Sequence, residues 1–175
     1  MTPKLKVFLG AFAVALGLDQ LTKEWVIRSL GFADRIPVVD GFFYLTHVRN
    51  PGAAFSLFAE SPEPFRRIFF VVATLVAIAL IISFFRKLAP GDRLSALALG
   101  LVLGGAVGNL VDRLRHGEVV DFLHFRLWAG YSWPDFNLAD SAIVVGVLLL
   151  VLELLASEGE ARSDVAPPGT DPERL

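Results

Sequence analysis

The sequence predicts an all-α integral membrane protein, four transmembrane helices with a small extracytoplasmic β-sheet or hairpin element. Three observations carry that prediction. The 175 residues are 54% hydrophobic and only 19% charged, more apolar than water-soluble domains usually are. The apolar residues are gathered into four blocks, each long enough to cross a hydrocarbon core of about 30 Å. The two long connections between blocks carry short β-branched and aromatic runs of the kind that form strands.

The first span, 6–28, follows Lys4 and Lys6 and begins "VFLGAFAVALGL". It opens like a secretory signal, but no small-residue cleavage site follows and the run continues into "DQLTKEWVI", so it reads as an uncleaved anchor. The connection after it contains "IPVVDGFFYLTHV", where Asp-Gly between short apolar runs predicts a two-residue hairpin. The second span, 68–85, is bracketed by Arg66, Arg67, Arg86 and Lys87, with Thr74 and Ser83 its only polar residues. The third, 94–111, is interrupted only by Ser95 and Asn109. "VVDFLHFRLW" (119–128) reads as extended, and the fourth span covers 138–155. These elements make one transmembrane domain over 1–156. The polar, Pro- and Gly-bearing segment 157–175 is expected to be a disordered tail.

Consecutive spans alternate direction, and this sorts the polar residues. One end of the bundle receives Asp19, Gln20 and Lys23 from the first span, Asn109, Asp112 and Arg113 from the third, and Asn137 and Asp140 from the fourth. Trp25, Tyr44, Trp128, Tyr131 and Trp133 fall on the same side, where amphipathic rings favour the interface. Lys4, Lys6 and the three positive residues of "RKLAPGDR" assign the opposite side, with both termini, to the cytoplasm. The raw count runs the other way, seven Lys/Arg inside and nine outside, but several of the outer ones belong to the polar motifs.

Composition excludes much. There is no cysteine, so thiolate metal sites and thiol nucleophiles are out, and a net charge of −2 gives no reason to expect nucleic acid. His47, His116 and His124 form no H-E-x-x-H pair, and neither G-x-S-x-G nor a P-loop is present. No metal or cofactor is expected. Asp19 and Lys23, four apart on a helix, are explained by a simple ion pair. Gly100, Gly104 and Gly108 are explained by close helix packing in lipid. Asn137 followed three residues later by Asp140 has the pattern of a helix cap. Asp121 is harder to explain, because it sits in an apolar extended stretch with no Lys or Arg within three positions, where an aspartate needs a partner. Paired with Asp140 it could share one proton, as adjacent carboxylates do; Asp19, Asp112 and Asp135 are rival partners.

Read in order, "DQLTK" (19–23), "NPGAAFSLF" (50–58), "GGAVGNLVDR" (104–113), "VVDF" (119–122) and "FNLAD" (136–140) resemble the motif series of the lipoprotein signal peptidases, or signal peptidase II. The resemblance covers nearly the whole chain except the tail. It implies an aspartic endopeptidase of the bacterial inner membrane. Such enzymes cut the signal peptide from prolipoproteins just before a diacylglyceryl-modified cysteine. By matching positions, Asp121 and Asp140 would be the catalytic dyad. Asn50, Gly52, Asn109, Arg113, Asn137 and Ala139 would surround it, and Asp19 and Lys23 would support it. From the residues alone, the role of Arg113 is open between holding an acidic neighbour, such as Asp112, and holding a lipid carbonyl. The resemblance also implies an extracytoplasmic β-structure and inhibition by the cyclic peptide globomycin. The expected partners are therefore a lipidated precursor, membrane lipid and globomycin-type inhibitors, with the chain a monomer. Pro51 departs mildly from the motif and suits a turn. The residues alone leave open a non-enzymatic membrane scaffold or transporter subunit whose carboxylates are caps and ion pairs.

Overall fold

Backbone in hydrocarbon must satisfy its own polar groups, so long apolar blocks become helices. The computed structural model describes residues 1–52 and 61–164; the remainder of the "NPGAAFSLF" motif and the last residues of the tail lie outside them. Four helices form: α1 (Pro3–Ser29), α2 (Glu63–Lys87), α3 (Arg93–His116) and α4 (Leu138–Asp164). All four are long and apolar enough to cross a membrane, α4 over Leu138–Ser157. Each outruns its apolar block because interfacial residues complete the ends. Prolines open α1 and α2, where a missing N–H is harmless. The Asp92 side chain accepts the Ser95 N–H at the start of α3, and Gly117, at φ 78°, ends it in the left-handed region. α4 continues to Asp164, into the segment expected to be disordered. The Glu, Ala and Arg residues there are good helix formers and extend a helix already nucleated.

α3 is the central helix: 67% of its span window is buried, against 6% for α2. α1 and α4 pack along it, and α2 packs chiefly on it as well. Small residues explain the close approach. A Cβ added to Gly104 would stand 2.7 Å from the Ala15 Cβ of α1, and one added to Gly105 would strike the Ala139 carbonyl of α4. The Gly100, Gly104 and Gly108 stripe therefore faces α1, while Gly105 faces α4. One apolar core joins Phe8, Ile81, Ala96, Leu99 and Leu103. A second, formed by Val26, Val120 and Phe122, lies against the sheet.

The sheet is antiparallel in the order β1 (Arg35–Val39), β2 (Phe43–Asn50), β3 (Val119–Phe125). The β1–β2 turn is a three-residue loop, Asp40 to Phe42, instead of the two-residue turn expected. Only Gly41 takes positive φ, at 75°, and the Phe42 N–H donates to the Val39 carbonyl at 3.0 Å. The pairing register shifts between Pro37 and Val39. Pro37 offers no ladder N–H, and the tighter turn type demands positive φ at both central residues. Across β2 and β3, Val48 pairs with Asp121 and Asn50 with Val119.

Candidate active site

Strand alternation delivers Asp121. Val120 and Phe122 enter the core with Val26, so Asp121 between them turns to the other face of β3. It is 2% exposed. Asp140 arrives from the first turn of α4. There Asn137 Oδ1 accepts the Asp140 N–H at 2.9 Å while Asp140 Oδ2 accepts the Asn137 N–H at 3.3 Å. This is a reciprocal capping box with Asp as its acid. The capping explanation of Asp140 is thus true, yet it occupies only one carboxylate oxygen.

The four oxygens of the two aspartates are met by four neutral N–H donors. Asp121 Oδ1 accepts from Asn137 Nδ2 at 2.7 Å and Oδ2 from Asn50 Nδ2 at 2.9 Å. Asp140 Oδ1 accepts from Asn109 Nδ2 at 2.8 Å, and Oδ2 from the Asn137 backbone. Each amide is oriented by what its own oxygen accepts. Asn50 Oδ1 takes the Gly52 N–H at 3.0 Å, and Asn109 Oδ1 takes Lys23 Nζ at 2.9 Å. Asn137 bridges the pair, since it also reaches Asn109 Oδ1 at 3.3 Å. Burial is the main cause lifting the Asp121 carboxyl to about 7; the Asn50 bond pulls it down and the charge of Asp140 pushes it further up.

Lys23 holds this arrangement from behind. Its ammonium, 2% exposed, meets Asp19 Oδ2, Asp112 Oδ2 and Asn109 Oδ1, each at 2.9 Å, so its three protons have three acceptors. Asp19 in turn accepts the Ala139 N–H at 2.9 Å, next to Asp140. Asp112 accepts the Val120 N–H at 3.1 Å, next to Asp121. One cation therefore ties α1 to both elements that carry the aspartates. Gln20, not singled out for the site by its sequence, joins Asp19, Asp112 and the Gly108 carbonyl. Gly108 and Ala139 are small for a reason: a Cβ on Gly108 would run into the Asp19 carboxylate and lie 3.5 Å from Ala139 Cβ.

Arg113 does not hold Asp112. Its guanidinium donates to the Asn109 and Gly52 carbonyls at 3.3 Å each and lies 4.9 Å from the Phe70 ring centroid. The fork thus pins the Gly52 turn, and with it Asn50, to α3. All ten residues expected at the site fall in this one region. Of the rival partners, Asp19 and Asp112 are engaged by Lys23, and Asp135 is held by Thr46 and His124. Asp121 and Asp140 share a cleft of about 720 Å³, polar at Asn50 and the two acids, apolar along Val144 and Val145 of α4. Among the described residues no cluster of three His, Asp or Glu side chains is arranged to hold a metal ion.

Residues 11–156 match the family described as Signal peptidase (SPase) II. The chain belongs to the signal peptidase II family. It is 48% identical to the lipoprotein signal peptidase of Geobacter metallireducens over 164 residues, 94% of this chain and 99% of that protein. To the lipoprotein signal peptidase of Syntrophus aciditrophicus it is 45% identical, covering 91% of this chain and 99% of the other. A solved structure described as a bacterial membrane enzyme superposes with a TM-score of 0.78 at 29% identity, covering 94% of each chain. A second, described likewise, gives 0.76 at 31% identity over 85% of this chain and 92% of its own. As a signal peptidase II the chain is a multi-pass membrane peptidase, and the four spans with their small antiparallel sheet are the fold expected of it.

Proposed function

We propose that this signal peptidase II is an aspartic endopeptidase that removes the signal peptide from diacylglyceryl-modified prolipoproteins, cutting just before the lipidated cysteine. The observation that carries the reading is a pair of carboxylates in one cleft, Asp121 buried and Asp140 half-buried, each oxygen given a single neutral donor. Burial lifts the Asp121 carboxyl to about 7, so on this reading the pair holds one shared proton near neutral pH, with Asp121 acting as its donor. Asp140 then removes a proton from a water molecule between them as the water attacks the scissile carbonyl. Asp121 gives its proton to the carbonyl oxygen. As the tetrahedral carbon collapses, Asp140 returns the proton to the departing nitrogen and Asp121 regains its own. Asn50, Asn109 and Asn137 keep both carboxylates oriented throughout.

The apolar wall at Val144 and Val145, 56% and 48% exposed on the outer face of α4, lets acyl chains stay in lipid while the peptide reaches the acids. Lys4 and Lys6 with Arg86, Lys87 and Arg93 support cytoplasmic termini, an inner-membrane location and an extracytoplasmic site. The test is cleavage of a diacylglyceryl-modified precursor by purified wild type, Asp121→Asn and Asp140→Asn, with globomycin as competitor. Wild type should cleave and be inhibited, and each variant should lose on the order of a thousandfold in rate or more. Normal cleavage by either variant would overturn the dyad.

A further inference from the structure

Resting on the reading above, we propose that Asp135 is a positioning residue for the cleavage. Fastened by Thr46 and His124, it fixes the cleft wall formed by Trp133 to Phe136. The wall lies between β3 and α4 and leads directly into Asn137. Its ends are tied by backbone: the Trp133 N–H donates to the Phe125 carbonyl at 2.8 Å, and the Phe136 N–H to the Leu123 carbonyl at 3.1 Å. The Phe136 carbonyl accepts from both Phe122 and Leu123. Between these ties, no backbone hydrogen bond holds Pro134 or Asp135 among the described residues. Pro134 has no N–H to offer.

The middle of the wall is held instead by one carboxylate oxygen. Asp135 Oδ1 accepts from Thr46 Oγ1 at 2.7 Å and lies 3.2 Å from His124 Nδ1. A carboxylate oxygen accepts, so the imidazole N–H sits on Nδ1. Nε2 of His124 is buried without a hydrogen-bond partner among the described residues, so Asp135 holds the ring's one side-chain hydrogen bond while the Tyr44 ring packs edge-on against it at 5.9 Å, and His124 is only 4% exposed. The three residues come from β2, β3 and the wall, so the cluster stitches all three together beside a cleft that all four wall residues line. It touches neither Asp121 nor Asp140. Its effect therefore falls on how well the cleft receives the peptide and not on the proton transfers.

The experiment compares Asp135→Ala, Asp135→Asn and Thr46→Val with wild type. Cleavage of lipidated precursor separates KM from kcat, and amide hydrogen exchange follows segments 133–136 and 119–125. Asp135→Ala should raise KM about tenfold with kcat held within about twofold. Asp135→Asn keeps an oxygen able to accept both bonds and should recover most of the loss. Thr46→Val, nearly isosteric, should raise KM about threefold and add little on top of Asp135→Ala. Exchange should quicken at 133–136 and not at 119–125. Unchanged exchange at 133–136 overturns the proposal whatever the activity. So does a fall in kcat alone, or an Asp135→Asn variant as impaired as Asp135→Ala. A wild type that does not cleave the precursor defeats the proposed function, while the exchange comparison still reads the fastening.

Discussion

Replacing Asp121 with Asn should do two things at once: stop cleavage and make the fold more stable in mild alkali. The carboxyl is lifted from an ordinary 3.8 to about 7, which at 1.36 kcal/mol per pKa unit is about 4 kcal/mol. The unfolded chain ionises this group from about pH 4 upward, whereas the folded chain keeps the proton until about pH 7. Between those values the unfolded state releases a proton that the folded state retains, so stability falls as pH rises through the window and levels off above it. An amide has no charge to desolvate and escapes this loss. Against that gain, its NH2 would face Asn50 Nδ2, which cannot turn away because Asn50 Oδ1 holds the Gly52 N–H. One donor facing another costs about 1–3 kcal/mol. The variant should therefore be more stable than wild type by about 1–3 kcal/mol above pH 7, and no more stable near pH 4. Thermal unfolding in detergent across that range, with cleavage measured in parallel, reads both effects. Wild-type and variant stability curves that run parallel between about pH 4 and about pH 7 would refute the reasoning, because Asp121 would then not be the buried group titrating there.

Three other changes probe the rest of the site. Asp140→Asn keeps an oxygen for the cap but turns its NH2 toward Asn109 Nδ2, which Lys23 prevents from flipping, and should lose cleavage at a cost of about 1–3 kcal/mol. Asp140→Ala loses the cap as well and should cost a further 0.5–2 kcal/mol or about that, seen by thermal unfolding. Lys23→Met leaves Asp19 and Asp112 buried without their cation and should destabilise by about 3–5 kcal/mol. Adding Asp19→Asn and Asp112→Asn should restore much of that stability, and a triple variant no better than the single one contradicts the assignment. Gly105→Ala drives a methyl into the Ala139 carbonyl, pushing α4 from α3 and stretching the Asn109–Asp140 bond. Activity should fall at least tenfold with a loss of about 1–3 kcal/mol, and retention of both argues against the close approach.

Much of this was legible before any coordinates. Span lengths and the alternation of direction brought Asp19, Lys23, Asn109, Arg113, Asn137 and Asp140 to one end, because a hydrocarbon slab permits few other arrangements. The glycine stripe likewise announced a close helix pair. What escaped notice depends on partners distant in sequence or on backbone atoms. The Thr46–Asp135 bond links residues 89 apart and leaves no periodic trace. Arg113 was expected to hold a side chain or a lipid carbonyl, and it holds carbonyls of its own chain. That the cap uses only one carboxylate oxygen of Asp140, leaving the other to Asn109, was hidden because a cap pattern reads the same whatever its second oxygen meets. The three-residue turn depended on a register shift at Pro37, which Asp-Gly alone does not reveal.

The three asparagines around the aspartates carry a consequence for the chemical ageing of the chain. Deamidation proceeds when the backbone nitrogen of the next residue attacks the side-chain amide. Asn50 is followed by Pro51, which has no such N–H, and Asn109 by Leu110 in the interior of α3. Asn137 is followed by Leu138, a bulky neighbour at the first position of α4. Each loss would convert a donor into a third carboxyl group beside the pair. The residues that follow these asparagines slow that conversion at the places where a single spontaneous event would do the most damage.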